Sequence, residues 1–216
     1  MRRTLRPAAG CCGMAKKKLK APKGAKRASN AERVDAAIAK AAVQHRRNPL
    51  VRVAGVIGDL ADQPPLLLGA AATIAAGALL RKPRMVRAGA RMLASEIAAT
   101  GLKAAAKRFV ARTRPGKMLK DGRYKLEADA AGDKYDGPWN SFPSGHAAGA
   151  LAVGRALSRE YPGALPAAAL VAGIAALVQL PKGTHFPSDI AAGAAIGVAS
   201  EALVNEGAAL AEKQLA

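Results

Sequence analysis

Aromatic residues make up 3% of the chain, cysteine occurs only as the adjacent pair Cys11 and Cys12, and acidic residues number 15 against 34 Lys and Arg. Each shortage excludes something. The basic N-terminal stretch contains no aromatic residue, so single-stranded nucleic acid would find no stacking platform there and is disfavoured as a partner. Two neighbouring cysteines with no His or second Cys pair nearby do not make a zinc site. No Asp/Glu-rich cluster offers another metal site, and neither metal nor cofactor is expected. The RRT and LRPAAGC near the start are not accompanied by an apolar run, so no cleaved signal is read. No long Ser/Gly linker divides the 216 residues, and one domain is the default.

What is present is an alanine-rich, strongly basic chain: half of it is apolar and its formal charge is +19. Residues 1 to 52 hold fifteen Lys or Arg against only Glu32 and Asp35, so most of the excess lies in one tail. Such a tail, with Pro and Gly but no apolar periodicity, reads as disordered and suited to contact with anionic lipid. Val34 to Arg47 patterns as an interfacial helix, and the following PLVRVAGVIGDLAD is too short and too charged to cross a bilayer alone. Pro64 to Leu80 is a charge-free run near the lower limit for a transmembrane helix. Met85 to Val110 is helical in pattern, but Glu96, Lys103 and Lys107 must face inward or snorkel.

Arg112 to Asn140 is polar, Gly-rich and of mixed charge, a loop outside the bilayer. Three further helices follow, Pro143 to Arg159, Gly163 to Leu180 and Pro187 to Asn205, rich in the small residues that permit close packing in lipid. The expected fold is an all-α integral membrane bundle of about five to six helices. Its parts are a disordered basic tail (1–33), an interfacial or re-entrant helical segment (34–62), a membrane helical domain (63–206) and a C-terminal tail (207–216). A water-soluble helical bundle is the alternative, because Ala-rich helices also pack in soluble cores.

Two stretches echo each other: FPSGHAAGALAVG from Phe142 and FPSDIAAGAAIGV from Phe186. Proline is favoured at the first position of a helix, so Pro143 and Pro187 mark two helix starts, whose exposed N–H groups and positive dipole ends attract anions. Ser144 and Gly145 add a hydroxyl and a close backbone approach. Lys107 and Arg114, seven residues apart, fall on one helical side and end at the same membrane face. His185 and Asp189, four apart, allow the carboxylate to accept the imidazole Nδ1–H and leave Nε2 free to attack phosphorus. His146 can protonate the leaving oxygen and then activate water. Lys107, Arg114 and the helix ends supply the electrostatic stabilisation without a metal.

These residues resemble the three-part signature of the type 2 phosphatidic acid phosphatase superfamily, which also includes bacterial acid phosphatases and vanadium haloperoxidases. Lys107 to Pro115 matches its Lys, six residues, Arg-Pro, and Pro143 to His146 matches Pro-Ser-Gly-His. The third part, Ser-Arg, five residues, His, three residues, Asp, keeps His185 and Asp189 but has Val178 and Gln179 at the Ser-Arg positions. The resemblance implies His185 as nucleophile, Asp189 as its orienting partner, His146 as acid/base, and Lys107, Arg114, Ser144 and Gly145 as phosphate binders. Lys182, three residues from Gln179, is the candidate for the missing cation, although it lacks arginine's fork.

The expected function is a membrane phosphatase acting through a phosphohistidine on a phospholipid or isoprenyl phosphate, of the phosphatidic acid, phosphatidylglycerophosphate or isoprenyl diphosphate type. The alternatives are a catalytically silent membrane relative, favoured by Gln179, and a vanadate-dependent haloperoxidase. The expected location is the inner (plasma) membrane, multi-pass. Family resemblance places the active face outside the cytoplasm, against the pull of the basic N-terminal tail.

Overall fold

The computed structural model describes residues 29–122, 124, 126–128 and 137–215. The tail with Cys11 and Cys12 and most of the loop between Arg123 and Asp136 lie outside the described residues. Nine α-helices are present among those described: α1 (Asn30–Val43), α2 (Pro49–Leu60), α3 (Gln63–Leu79), α4 (Pro83–Phe109), α5 (Pro115–Asp121), α6 (Gly145–Glu160), α7 (Leu165–Leu177), α8 (Gln179–Lys182) and α9 (Pro187–Leu215). The only sheet among them pairs β1 (Val110–Arg112) with β2 (Leu126–Ala128), antiparallel, Ala111 opposite Glu127. The fold is thus nearly all-α, with more helices than the five to six expected because the polar and interfacial segments form short helices of their own.

Local sequence explains where the helices begin. Ser29 and Glu32 form a reciprocal capping box at α1. Asn48 accepts the Leu50 N–H ahead of Pro49, and Asp62 accepts the Gln63 N–H ahead of α3. Pro83 opens α4 and Pro187 opens α9. The start of α6 departs from expectation: Ser144, not Pro143, is its N-cap, its hydroxyl accepting the Ala147 N–H. The far end of α9 departs too, since the helix continues to Leu215 through the segment read as a C-terminal tail.

Five long elements make the bundle: α3 packs along α4, α4 along α6 and α9, and α6 along α7 and α9. Pro162–Lys182, which contains α7, is 21 residues long with a mean hydropathy of 1.9 and is long and apolar enough to cross a membrane; Gln63–Leu79 is a shorter apolar helix. The outer faces are apolar, with Leu68, Leu79, Ile97, Leu170, Val171 and Leu203 exposed. Inside, small residues bring backbones together. Gly193 and Gly197, four apart on α9, leave no room for a Cβ, which would lie 2.3 Å from the Ser144 and Ala148 carbonyl oxygens of α6. Two carboxylates of the bundle look inward: Glu96 is buried between α4 and α6, and buried Glu201 of α9 accepts hydrogen bonds from Arg155 and Arg159 of α6.

The short elements gather at one end. Helix α1 packs on α5, α8 and α9, and α2 on α7 and α8. The Gly116 N–H donates to the Gly183 carbonyl at 2.8 Å, tying α5 to the turn after α8. The starts of α6 and α9 lie at this same end, where the Ser144 N–H donates to the Asp189 carbonyl at 3.0 Å.

Candidate active site

The echoed Phe-Pro-Ser stretches meet at that backbone bond, which brings the two histidines together. The rings of His146 and His185 have centroids 6.2 Å apart at 64°. His185 is 4% exposed. Its Nδ1 lies 2.7 Å from the Ser141 carbonyl oxygen, which can only accept, so Nδ1 carries the proton and Nε2 the lone pair. Burial pushes the His185 pKa down to about 3, and the Arg114, His146 and Lys107 charges act in the same direction against the Ser141 bond.

Asp189 is fully buried, but it does not orient His185 as expected. Its Oδ2 is 3.9 Å from His185 Nδ1, beyond hydrogen-bonding reach. That oxygen instead accepts the Phe186 N–H at 2.8 Å, and Oδ1 accepts from Arg112 at 2.7 Å. Asp189 therefore shapes the turn that carries His185, and the Ser141 carbonyl orients the ring.

Lys107 and Arg114 reach the site by different routes. They do not share a helical face, because α4 ends at Phe109 and the chain continues extended through β1 to Pro115, which disfavours helix at the residue before it. Lys107 lies in the last turn of α4. Arg114 is tied to the segment that leads into α6, its N–H donating to the Pro138 carbonyl at 2.9 Å, while the Ser141 N–H donates to the Arg112 carbonyl at 2.9 Å. Arg114 Nε is buried without a hydrogen-bond partner among the described residues, and burial lowers the guanidinium's pKa.

Ser144 is fully buried, its hydroxyl turned to the α6 backbone as a cap. Gly145 opens α6 beside a cation that spacing did not assign to the site: a Cβ there would sit 3.2 Å from Lys103 Nζ. Gln179 is engaged by its own neighbours. It is fully buried, donates Nε2–H to the Ala175 carbonyl at 3.1 Å and accepts the Thr184 hydroxyl at 2.7 Å. Lys182 Nζ pairs with Asp59 at 2.5 Å, and both belong with Asp62 and Arg114 to the charges acting on His146. The structure thus brings His146, His185, Lys107 and Arg114 together, with Ser144, Gly145 and Asp189 supporting the two helix starts and Lys182 at the margin.

Arg112 was not singled out by spacing, yet it is the most heavily engaged residue of the site. It contacts Asp189, Asp35, Ser188 and Tyr124 through hydrogen bonds and lies 4.1 Å over the Phe186 ring. The signal was present in ARTRP, where two arginines two apart in an extended segment face the same side.

A helical membrane bundle with paired histidines and converging cations at one end is the architecture of a membrane phosphatase. The model of the PAP2 superfamily matches residues 88–208, and the chain belongs to that superfamily. A solved structure of similar fold is described as the first transmembrane PAP2 type phosphatidylglycerolphosphate phosphatase from Bacillus subtilis. The two chains are 24% identical with a TM-score of 0.59, over 82% of this chain and 86% of that one. No curated protein matches the chain.

Proposed function

We propose that the protein hydrolyses a lipid phosphomonoester or diphosphate through a phosphohistidine at His185. The observation that carries this reading is the Nδ1–H bond to Ser141, because it fixes the tautomer whose Nε2 lone pair faces away from the backbone. That lone pair attacks phosphorus, forming the P–N bond as the P–O bond to the lipid breaks. His146 gives its proton to the leaving oxygen. Water then attacks the phosphohistidine, His146 takes its proton, and the P–N bond breaks to release phosphate and neutral His185. Lys107, Arg114 and the starts of α6 and α9 hold the phosphoryl oxygens, and Lys182 joins them by exchanging Asp59 for phosphate. The exchange is inexpensive because this pair is partly exposed.

The substrate class is the phosphatidic acid, phosphatidylglycerophosphate or isoprenyl diphosphate type, and the likeness to a solved phosphatidylglycerolphosphate phosphatase supports the lipid-phosphate assignment. We place the active face outside the cytoplasm of the inner (plasma) membrane. In support, the turn between α3 and α4 and the first turns of α4, at the opposite end, hold Arg81, Lys82, Arg84 and Arg87 and no acidic residue. Impermeant thiol labelling of Lys120→Cys, with Cys11 and Cys12 replaced, tests this: protection in intact cells would put the face in the cytoplasm. The basic tail is assigned to anionic lipid.

The test of the reaction is phosphate release by detergent-purified protein from phosphatidic acid and an isoprenyl diphosphate, with chelator present. Release that resists chelator, disappears in His185→Ala and leaves an acid-labile label on the protein from ³²P substrate is the expected result. Failure on both lipids and on a soluble phosphomonoester would favour the second reading, a silent relative, to which the inward-turned Gln179 is the pointer.

A further inference from the structure

Helix α1 lies outside the stretch matched by the family, yet one of its side chains reaches the turn that carries His185. Asp35 is 7% exposed. Its Oδ2 is 2.7 Å from Arg112 Nη2, and Nη1 of the same guanidinium is 2.7 Å from Asp189 Oδ1. Ser188 closes the arrangement: its N–H donates to Asp35 Oδ1 at 3.2 Å, its hydroxyl donates to Asp35 Oδ2, and Arg112 Nη1 donates to its oxygen at 2.6 Å. Phe186, Ser188 and Asp189, three of the four residues after His185, are therefore all held by the Asp35–Arg112 pair.

Arginine stays charged at any accessible pH and its planar fork fixes the direction of both carboxylates. Were Asp35 absent, one edge of a buried guanidinium would lose its partner, and Ser188 would lose the acceptor for both its N–H and its hydroxyl. The residue preceding Phe186 is His185, whose ring is oriented by the hydrogen bond to the Ser141 carbonyl. A shift of the turn would move Nε2 relative to Arg114 and Lys107 while leaving those cations in place.

We propose that Asp35 is a positioning residue for the phosphatase site: through Arg112 and Ser188 it fixes the His185–Asp189 turn, making α1 a working part of the active site. This rests on the phosphatase reading above. Positioning predicts a defect in the chemical step, whereas mere docking of α1 predicts a defect in stability alone. The test compares wild type, Asp35→Asn and Asp35→Glu as full chains in detergent, with turnover counted per molecule in the monodisperse size-exclusion peak.

Misplacement of a reacting group by about an ångström can cost up to about a hundredfold. Asp35→Asn is therefore expected to lower kcat about tenfold or more with KM within about threefold, and Asp35→Glu, which keeps the carboxylate, to recover part of the loss. If Asp35→Asn turns over within about twofold of wild type, the proposal is overturned while the phosphatase reading stands. If wild type shows no His185-dependent release, the reading fails and the proposal with it. Ser188→Ala removes the hydroxyl bonds to Asp35 and Arg112, keeping the N–H bond to Asp35, and serves where Asp35→Asn yields no monodisperse protein; unchanged turnover there likewise overturns the proposal.

Discussion

His185 donates its Nδ1–H to the Ser141 carbonyl at 2.7 Å, so its ring is oriented by the backbone of the segment that leads into α6 and His146. The two histidines are therefore coupled geometrically: a movement of the Ser141–His146 segment shifts His146 and turns the His185 ring at once. A carbonyl is also an unchanging acceptor. Unlike a carboxylate, it cannot be protonated within the working pH range, so the His185 tautomer is held as pH falls.

The pH dependence follows. The folded pKa of His185 is lowered to about 3 from an ordinary 6.5, so His185 contributes stability that is fully present above pH 6.5 and is lost as pH falls towards 3. The slope is at most about 1.4 kcal/mol per pH unit. Melting midpoints in detergent should fall more steeply below pH 6.5 for wild type than for His185→Asn. In the same range the acid limb of kcat/KM should lie well below 6.5; an acid limb centred at 6.5 that belongs to His185 would contradict the environment described.

Arg112 should tolerate substitution least. Its removal leaves Asp35 and Asp189 both buried without their cation, and breaking a buried pair costs about 3–5 kcal/mol. Arg112→Met is expected to lower the detergent melting midpoint more than any single change at Lys107, Arg114 or Lys182, and to abolish phosphate release. Arg112→Lys keeps the charge but not the fork that reaches two carboxylates, and should fall between.

Much of this site was readable because its chemistry is local. Pro-Ser-Gly-His, the His185/Asp189 spacing and the Lys107/Arg114 spacing are short-range patterns, and the helix start at Pro187 follows from that proline. What escaped is what joins distant segments. Asp35 and Arg112 are 77 residues apart, and on α1 Asp35 sits among Arg33 and Lys40 as an ordinary surface carboxylate would. The exchange of Asp189 for Ser141 as partner of His185 depends on a backbone carbonyl, which carries no residue-type signal. The break of α4 before Pro115 was signalled by that proline, but an i, i+7 reading of Lys107 and Arg114 overrode it.

The contact between α6 and α9 offers a prediction free of charge effects. Gly193→Ala places a methyl 2.3 Å from the Ser144 carbonyl oxygen, which must push the two helix starts apart, an overpacking cost of about 1–3 kcal/mol. Because His146 and His185 sit on those starts, turnover should drop along with the melting midpoint. Gly173→Ala on α7, where the added methyl meets nothing within 4 Å, is the control expected to keep both. Equal behaviour of the two variants would show that the α6–α9 approach is looser than the structure has it.

Lys182 and Asp59 decide whether the cation absent at Gln179 is supplied from elsewhere. The ammonium is held at 2.5 Å by a carboxylate that is itself 69% exposed, and exposed pairs are worth about 1 kcal/mol or less. A phosphate dianion entering beside His146 can therefore draw Lys182 away, while Asp59 repels it. Two opposite changes follow. Lys182→Ala should weaken inhibition by inorganic phosphate and raise KM by about three- to tenfold, about 0.7–1.4 kcal/mol. Asp59→Asn should strengthen phosphate inhibition, because it releases the ammonium and removes the competing charge. If both variants inhibit and turn over as wild type does, the pair is only a surface contact, and Lys107, Arg114 and the two helix starts bind phosphate without it.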